Sequence, residues 1–379
     1  MSQDVLITRE PVVNKQRAIT ANRLFVHAPS VAAAVDELNQ LKDSWPSVHT
    51  VLLSLGRLVP TAELMNWQAP PNTMVEIPAP ALRFEQTLAL IPQLQEAGIS
   101  LCLSWYQPGL ALPPGVDFRF VLADAGKLPQ PSGLPGIALA TGLSDLPAFA
   151  PTVRNGYDGA SGWFFLRGVP PAKELSPSHA QIIRLLNLVR NEAETREIEA
   201  ALKQDVALSY KLLRYINSPG FGLMVEVQSF RHAVTILGME KLNKWLSLLL
   251  VSASKDPGAP ALMQTAIARG RFMELVGAQF VDKREVDNLF ITGAFSLIHV
   301  LLGTSIEAVL SEMNLPDAIT DALLHGEGMY KPFLDLAIAC ERMDPSALQE
   351  QIARLKLDPE TVSQALVASV CFADNLQFN

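Results

Sequence analysis

The sequence predicts an α/β domain in residues 1–172 followed by an all-α domain in residues 173–379. Three observations predict this division. The chain has 379 residues, and about 150 residues form a typical domain. Hydrophobic residues make up 49% of it and charged residues 18%, so it has enough apolar surface to bury a sizeable core. Of the 27 prolines, 20 precede residue 179, which marks a change in composition between the two parts.

In the first part, short apolar runs alternate with helical stretches. Strands are predicted in residues 48–55, 73–77, 99–104, 118–122 and 136–140, and helices in residues 31–41 and 83–97. Such alternation predicts a parallel sheet with helices outside it, either open or closed as a (β/α) barrel. A complete barrel takes about 250 residues. Any barrel here therefore has shortened or missing outer helices.

From residue 178 onward, apolar residues recur three and four positions apart, which is typical of amphipathic helices. The pattern predicts helices in residues 182–189, 198–202, 208–216, 229–237, 239–252, 260–281, 286–302, 305–313 and 316–324. We find no short internal repeat, which favours a packed bundle over a solenoid. Two turn signals within residues 169–178 predict the linker between the domains.

Charge, cysteine content and hydropathy limit the classes of function. The net charge is −8 and the pI about 5.4, so nucleic acid is not the expected partner. Three distant cysteines, Cys102, Cys340 and Cys371, predict neither a disulfide framework nor a metal site, and they favour a reducing cytoplasm. The start of the sequence does not resemble an export signal, and no apolar run of 18 residues occurs. We therefore expect a cytoplasmic protein without a membrane span.

Several spaced motifs of the second part resemble the HDOD domain. An aspartate begins the predicted helix of residues 205–216, Asn-Ser ends it, a Phe-Gly loop follows, and the next helix runs from a serine to Leu-Gly. The motif residues are Asp205, Asn217, Ser218, Gly222, Ser229 and Gly238. We interpret them as structural, because Asn and Ser bond to the backbone at helix ends and Gly accepts a positive φ.

The first part is similar to a degenerate EAL domain, the fold of cyclic-di-GMP (c-di-GMP) phosphodiesterases. Residues 6–14 are like the opening strand of that family, and residues 162–165 are like its closing Gly-Tyr-x-Phe strand. The combination resembles the bacterial signalling proteins that join an EAL domain to an HDOD domain. This resemblance implies a barrel and a role linked to c-di-GMP.

The same resemblance implies that an active member holds two divalent cations with several carboxylates. Here Arg23 stands where the first metal-binding glutamate of the family is expected, and Ser104 and Trp105 lie within the segment that replaces its Asp-Asp-Phe-Gly motif. Glu76 survives. The His-Asp doublet of metal-dependent HD phosphohydrolases is absent from the sequence. We therefore predict no metal, no cofactor and no enzymatic activity.

The remnants leave two interpretations open. Arg23 pairs with Glu76 or binds an anionic ligand, and we favour the ion pair. Trp105 packs against a domain or partner or stacks on a guanine base, and we favour packing. The first hypothesis is accordingly a non-catalytic signalling adaptor that binds protein partners. The alternative is a receptor that binds c-di-GMP through Arg23, Trp105 and Arg119 without hydrolysing it.

Overall fold

The computed structural model describes residues 5–168, 177–203, 230–252 and 259–376. Eight strands close into a barrel in chain order, which confirms the predicted architecture of the first part. The strands are β1 Leu6–Asn14, β2 Ile19–His27, β3 Thr50–Ser54, β4 Thr73–Pro78, β5 Ser100–Ser104, β6 Phe118–Asp124, β7 Ile137–Thr141 and β8 Gly159–Ser161. The five strands predicted from apolar runs correspond to β3 through β7.

The alternation of strands and helices predicted a parallel sheet, but the observed sheet is not parallel throughout. Neighbouring strands from β2 to β8 are parallel, but β1 is antiparallel to both β2 and β8. Only residues 15–18 connect β1 to β2, and a connection this short joins antiparallel strands only. In this turn, Arg17 has a φ of 63°.

The closing strand lies earlier than the resemblance suggested. Residues 162–165 do not form a strand, because β8 ends at Ser161 and a 3-10 turn covers Phe164–Leu166. Gly162 separates the two with a φ of 121°, a backbone conformation that is outside the β region.

The helices outside the barrel are short, as predicted. They are α1 Val31–Gln40, α2 Glu85–Glu96 and α3 Phe149–Arg154. The Ser30 hydroxyl caps α1 by accepting from the backbone N–H of Ala33. Gly98 follows α2 with a φ of 76°, the left-handed conformation expected just past a helix end.

Inside the barrel, apolar side chains form one layer, and a polar layer lies next to it. The apolar layer consists of Val12, Ala21, Leu52, Cys102, Leu122 and Leu139. Side chains two residues apart along a strand point to the same face. The residues that follow this layer by two positions on the parallel strands therefore also face the interior, nearer the carboxyl end of the barrel.

The rest of the described chain is helical. Its helices are α4 Pro177–Arg190, α5 Thr195–Lys203, α6 Phe230–Ser252, α7 Ala259–Gly277, α8 Val286–Phe295, α9 Ile298–Leu302, α10 Ile306–Ser311, α11 Asp317–Thr320, α12 Lys331–Cys340, α13 Pro345–Leu355 and α14 Pro359–Asn375. Gly238 interrupts α6 with a φ of 74° and a ψ of 170°, at the helix end predicted there. The single helix predicted for residues 286–302 is two helices, α8 and α9.

Five of the six HDOD motif residues lie outside the described residues. These are Asp205, Asn217, Ser218, Gly222 and Ser229, and the predicted helix of residues 208–216 lies outside as well. Their interpretation as structural residues stays a prediction.

The chain divides into two compact units, of which one is discontinuous in sequence. The first unit contains Met1–Val169 and Ile338–Cys371, and the second contains Pro170–Ala337 and Phe372–Asn379. Within the first unit, α13 contacts β1. The structure thus groups residues 338–371 with the barrel, whereas the sequence suggested one helical domain from 173 to 379. Among the described helices, none has the length and apolar character to cross a membrane.

Candidate functional site

The polar layer of the barrel is the candidate site. Alternation along the strands positions its members: Arg23 follows Ala21 by two residues, Ser54 follows Leu52, and Ser104 follows Cys102. On antiparallel β1, Glu10 precedes Val12 by two residues and lies opposite Arg23 in the ladder. The layer consists of Glu10, Arg23, Ser54, Glu76, Ser104 and Ser161.

At its centre, Arg23 and Glu76 form the ion pair favoured from the sequence. Nε of Arg23 donates to Oε2 of Glu76 over 2.7 Å, and Nη2 donates to Oε1 over 2.7 Å. The Ser54 hydroxyl donates to the same Oε1 over 3.2 Å. Arg23 is only 5% exposed and Glu76 1%. This bidentate arrangement is the strongest geometry for a guanidinium and a carboxylate.

A second carboxylate completes the cluster. Nη1 of Arg23 lies 3.4 Å from Oε2 of Glu10, and the Ser161 hydroxyl donates to this oxygen over 3.1 Å. The Arg23 guanidinium also lies 4.4 Å from the centre of the Phe25 ring. Arg23 thus contacts two carboxylates and an aromatic ring inside the barrel. It is not positioned to bind an external anion, which was the alternative interpretation of this residue.

The pKa shifts show that the central pair stays ionised. Burial acts to raise the pKa of Glu76, but Arg23, together with the Ser104 and Ser54 hydroxyls, lowers it overall. Burial acts to lower the pKa of Arg23, and the carboxylates of Glu76 and Glu10 raise it overall. Burial and Glu76 raise the pKa of the nearby Cys102 thiol. The central pair therefore consists of a buried cation and a buried carboxylate, with a neutral thiol beside them.

The two divalent cations that the EAL resemblance implies do not fit this cluster as it is arranged. The guanidinium of Arg23 already bonds to both carboxylates, and hard cations require free oxygen ligands. In the part of the chain that the structure describes, no group of three or more His, Cys, Asp or Glu side chains is arranged to hold a metal ion.

Trp105 lies at the carboxyl rim of the barrel, directly after β5. Its side chain is 55% exposed and its φ is 54°. A bulky residue with a positive φ is uncommon, and such strained conformations occur most often at functional sites. Ser104, the residue before it, is fully buried in the polar layer. The rim thus presents the exposed aromatic ring of Trp105 directly after a buried residue of the polar layer.

The structure does not bring Arg119 to this rim, which corrects the predicted ligand set. Arg119 is the second residue of β6 and is exposed. In the parallel pair of β5 and β6, Leu101 lies opposite Phe118, so Arg119 is near the amino end of the barrel. Trp105 lies beyond the carboxyl end of β5. Arg23, Trp105 and Arg119 therefore do not form one site.

Two relevant residues were missed from the sequence. Glu10 could have been found from alternation, since it precedes an apolar residue of β1 by two positions. Arg57 follows β3 at the carboxyl end, is exposed, and forms no ion pair with any described residue. Burial and the charge of Arg57 both lower the pKa of His27, the last residue of β2. This coupling places Arg57 near His27 at the carboxyl rim.

Comparison with known proteins identifies one part of the chain. Residues 175–316 match the HDOD domain, which confirms the resemblance seen in the sequence. The chain is 31% identical over 214 residues to "Cyclic di-GMP phosphodiesterase CdgJ" of Vibrio cholerae, covering 56% of this chain and 50% of that protein. It is 25% identical over 205 residues to "Uncharacterized protein YuxH" of Bacillus subtilis, covering 53% and 50%. The chain thus spans about half the length of these curated relatives.

Solved structures similar to the chain include the FimX EAL domain from Pseudomonas aeruginosa bound to c-di-GMP. Its TM-score is 0.32 at 13% identity, over 44% of this chain and 90% of that one. Klebsiella pneumoniae BlrP1 in a manganese and c-di-GMP complex gives a TM-score of 0.33 at 14% identity, over 43% and 56%.

The prediction that the chain is not an enzyme is contradicted by the match to CdgJ, since that relative is named a c-di-GMP phosphodiesterase. The prediction relied on replacements at single positions of the aligned family motifs. Replaced residues at one set of positions do not exclude catalysis by another set, because function belongs to sites rather than to a fold.

Proposed function

We propose that this chain acts in c-di-GMP signalling and exerts its effect by binding a protein partner through its helical region. The similarity to CdgJ, a protein named for c-di-GMP, carries the proposal. The HDOD match at residues 175–316 supports it. We further propose that the barrel is of the EAL type and that the protein acts in the cytoplasm.

The barrel supports a signalling role through its rigidity. Its polar layer is held by a bidentate ion pair and by hydroxyl groups from two strands, β3 and β8. A closed barrel whose interior side chains are joined by an ion pair and hydrogen bonds provides a fixed frame on which loops and helices bind other molecules.

To test the proposal, the gene for this chain is deleted in the source organism, and c-di-GMP-controlled surface motility and biofilm formation are measured. The chain, carrying an affinity tag, is then returned and cross-linked in the living cells. We expect the deletion to change these behaviours, the returned chain to restore them, and a defined protein to be cross-linked to residues of the helical region. Unchanged behaviour, or cross-links confined to the barrel, would contradict the proposal.

A second candidate function, binding of c-di-GMP at the carboxyl rim, is favoured by two exposed side chains. Trp105 offers an aromatic face on which a guanine base stacks, and Arg57 offers a guanidinium that no described carboxylate neutralises. An aromatic ring and a free arginine together match the bases and phosphates of a dinucleotide.

Isothermal titration of the purified chain with c-di-GMP, with magnesium or manganese present, tests this second candidate. We expect saturable binding that weakens about tenfold in Trp105→Ala and in Arg57→Ala. The matched control is Arg119→Ala, which removes an arginine from the other end of the barrel and should bind as the parent does. Equal binding by all four proteins, or none by the parent, contradicts rim binding. Chromatography of the same samples shows whether linear product forms.

A further inference from the structure

A groove in the helical unit has two walls of opposite charge. It has a volume of about 280 Å³ and lies between α4 and the residues that follow α10. The sequence of α4 contains Arg184 and Arg190 and no acidic residue. Residues 305–316 contain Glu307 and Glu312 and no lysine or arginine. Arg184 and Glu312 line the groove and are exposed, so one wall presents a cation and the other an anion.

Small and apolar side chains surround the cation on α4. Ala180 lies one turn before Arg184 and Leu188 one turn after it, and all three line the groove, because residues four apart share a face of a helix. Ile183 also lines the groove and is buried. This side of α4 therefore offers apolar contact on both sides of a charged group.

Hydrogen bonds join the two walls. Asn187 on α4 donates to the backbone oxygen of Glu312 over 2.7 Å and accepts from the backbone N–H of Asn314 over 2.9 Å. Asn314 also donates to Oδ1 of Asn191 over 3.3 Å. Although the walls are held together in this way, the described side chains of Arg184 and Glu312 form no ion pair with each other. Both charges therefore lie on the outer surface of a preformed groove.

The lining of the groove is complementary to itself. In a two-fold symmetric pair, the same surface of each copy forms the contact. A two-fold axis parallel to the groove brings the cationic wall of each copy to the anionic wall of the other. It also brings apolar groups of the two copies together, and asparagine amides both donate and accept, so they match identical amides. Every kind of group in the lining thus has its complement in a second copy.

Charge also favours a second copy over other occupants. The net charge of the chain is −8, so the surfaces of two copies repel each other in general. The two charged residues that line the groove, Arg184 and Glu312, sum to zero. An acidic segment would face the like charge of Glu312, and a basic segment would face that of Arg184. A second copy supplies an opposite charge to each wall.

We propose that this groove is a self-association surface that binds a second copy of the chain, with Arg184 of each copy directed at Glu312 of the other. The inference goes beyond the proposed function, since it does not depend on the binding of a different protein by the helical region.

Sedimentation velocity of the purified full chain over a range of concentrations tests the proposal. We expect a species of twice the monomer mass of 41.2 kDa to increase with concentration. Arg184→Glu and Glu312→Arg each place like charges on facing walls, and we expect each to raise the dissociation constant about 30-fold or more. Glu312→Arg lowers the net negative charge, so general repulsion does not account for a loss of association in this variant.

The matched control is Arg196→Glu. It makes the same change of charge at an exposed position on α5, outside the groove lining, and should alter the dissociation constant by less than about twofold.

Combination of the two substitutions separates charge pairing from damage to the fold. A chain with both Arg184→Glu and Glu312→Arg again has opposite charges on the facing walls, so we expect it to dimerise as the parent does. An equimolar mixture of the two single variants should also associate, because each supplies the charge that the other needs. Circular dichroism and thermal melting confirm that every variant folds.

Three results would overturn the proposal. A parent that stays monomeric at about 100 μM, a concentration at which even weak interfaces associate, has no such surface. A dimer that neither single substitution weakens has its interface elsewhere. Folded single variants whose association is restored neither in the double variant nor in the mixture would show that Arg184 and Glu312 do not pair between copies.

Discussion

At the scale of single residues, the two arginines Arg23 and Arg190 show opposite solutions to the burial of a charge. Arg23 forms ion pairs with two carboxylates of the same barrel, so its charge stabilises the interior. Among the described residues, the hydrogen-bond partners of Arg190 are the amide oxygens of Asn243 and Asn314. The sequence alone does not separate these cases, because each arginine obtains its neighbours from distant strands or helices.

Arg23→Met should strongly destabilise the barrel. The substitution leaves Glu76 buried without its cation, and breaking a buried pair in this way typically costs about 3–5 kcal/mol. The free energy of unfolding, measured by urea denaturation with circular dichroism, checks this. Arg119→Met, on the exposed surface, is the control and should lie within about 0.5 kcal/mol of the parent. A loss below 1 kcal/mol for Arg23→Met would contradict a stabilising role for the pair.

At the scale of elements, glycines permit α7 and α8 to approach each other closely. A Cβ atom on Gly293 would lie 2.7 Å from the backbone of Gly270, and one on Gly270 would lie 2.6 Å from the backbone oxygen of Phe290. Backbone atoms cannot move aside as a flexible side chain can. The contact between these two helices therefore depends on the absence of side chains at both positions.

Gly293→Ala is expected to lower the free energy of unfolding by about 1–3 kcal/mol, because added atoms in a tight contact force the helices apart. Urea denaturation followed at 222 nm measures the loss. Ser311→Ala, at an exposed position of α10, provides the control with no expected change beyond about 0.5 kcal/mol. Parental stability in Gly293→Ala would mean that the two helices are not in this contact.

Another element contact predicts a dependence on pH. Glu37 on α1 is buried, its Oε1 has no hydrogen-bond partner, and burial together with Glu360 at the start of α14 raises its pKa to about 7. A carboxyl with a raised pKa in the native state binds a proton that the unfolded chain releases. The stabilisation from this proton binding is therefore complete below about pH 4.5 and is lost as pH rises through 7.

Glu37→Gln should remove this pH dependence. The neutral amide cannot ionise, so the variant should exceed the parent in stability at pH 8 by about 1–3 kcal/mol and differ little at pH 5. Denaturation at both pH values checks the prediction. Glu360→Gln, which removes only the repulsion, should give a smaller gain at pH 8. An identical pH profile in Glu37→Gln and the parent would rule out the raised pKa.

Particular elements show what the sequence could predict. Strands β3 to β7 were found because continuous apolar runs reveal strands that are buried on both faces. Helices α12 to α14 were missed. The segment of α12 is apolar on most sides and has no clear periodicity, whereas α13 carried a usable signal, since Asp344 caps it immediately before Pro345.

The site was predicted only in part. Pairing of Arg23 with Glu76 could be predicted because both positions matched motif positions of one family. Glu10 was missed because the ladder that brings it opposite Arg23 is antiparallel, and register depends on the turn between the two strands. Arg119 was assigned to the wrong end of the barrel. It lies at the start of its strand, and in a parallel barrel the start of each strand is at the amino end.

At the scale of the whole molecule, the barrel unit includes residues 338–371 from near the end of the chain. We expect a fragment of residues 5–168 to be less stable, by several kcal/mol, than the barrel in the full chain, because it loses the surface that α13 covers on β1. Denaturation of both proteins, followed by fluorescence of the barrel tryptophans, measures this. A fragment as stable as the full chain would show that residues 338–371 contribute nothing to the barrel.

The discontinuous barrel unit also has a consequence during synthesis on the ribosome. All eight strands have emerged once about 200 residues are made, yet the segment that completes their unit follows more than 150 residues later. At about 5–20 residues per second, the nascent barrel waits on the order of 10–30 seconds with part of its apolar surface uncovered. During that interval, chaperones that bind nascent chains have access to a surface that the finished protein does not expose.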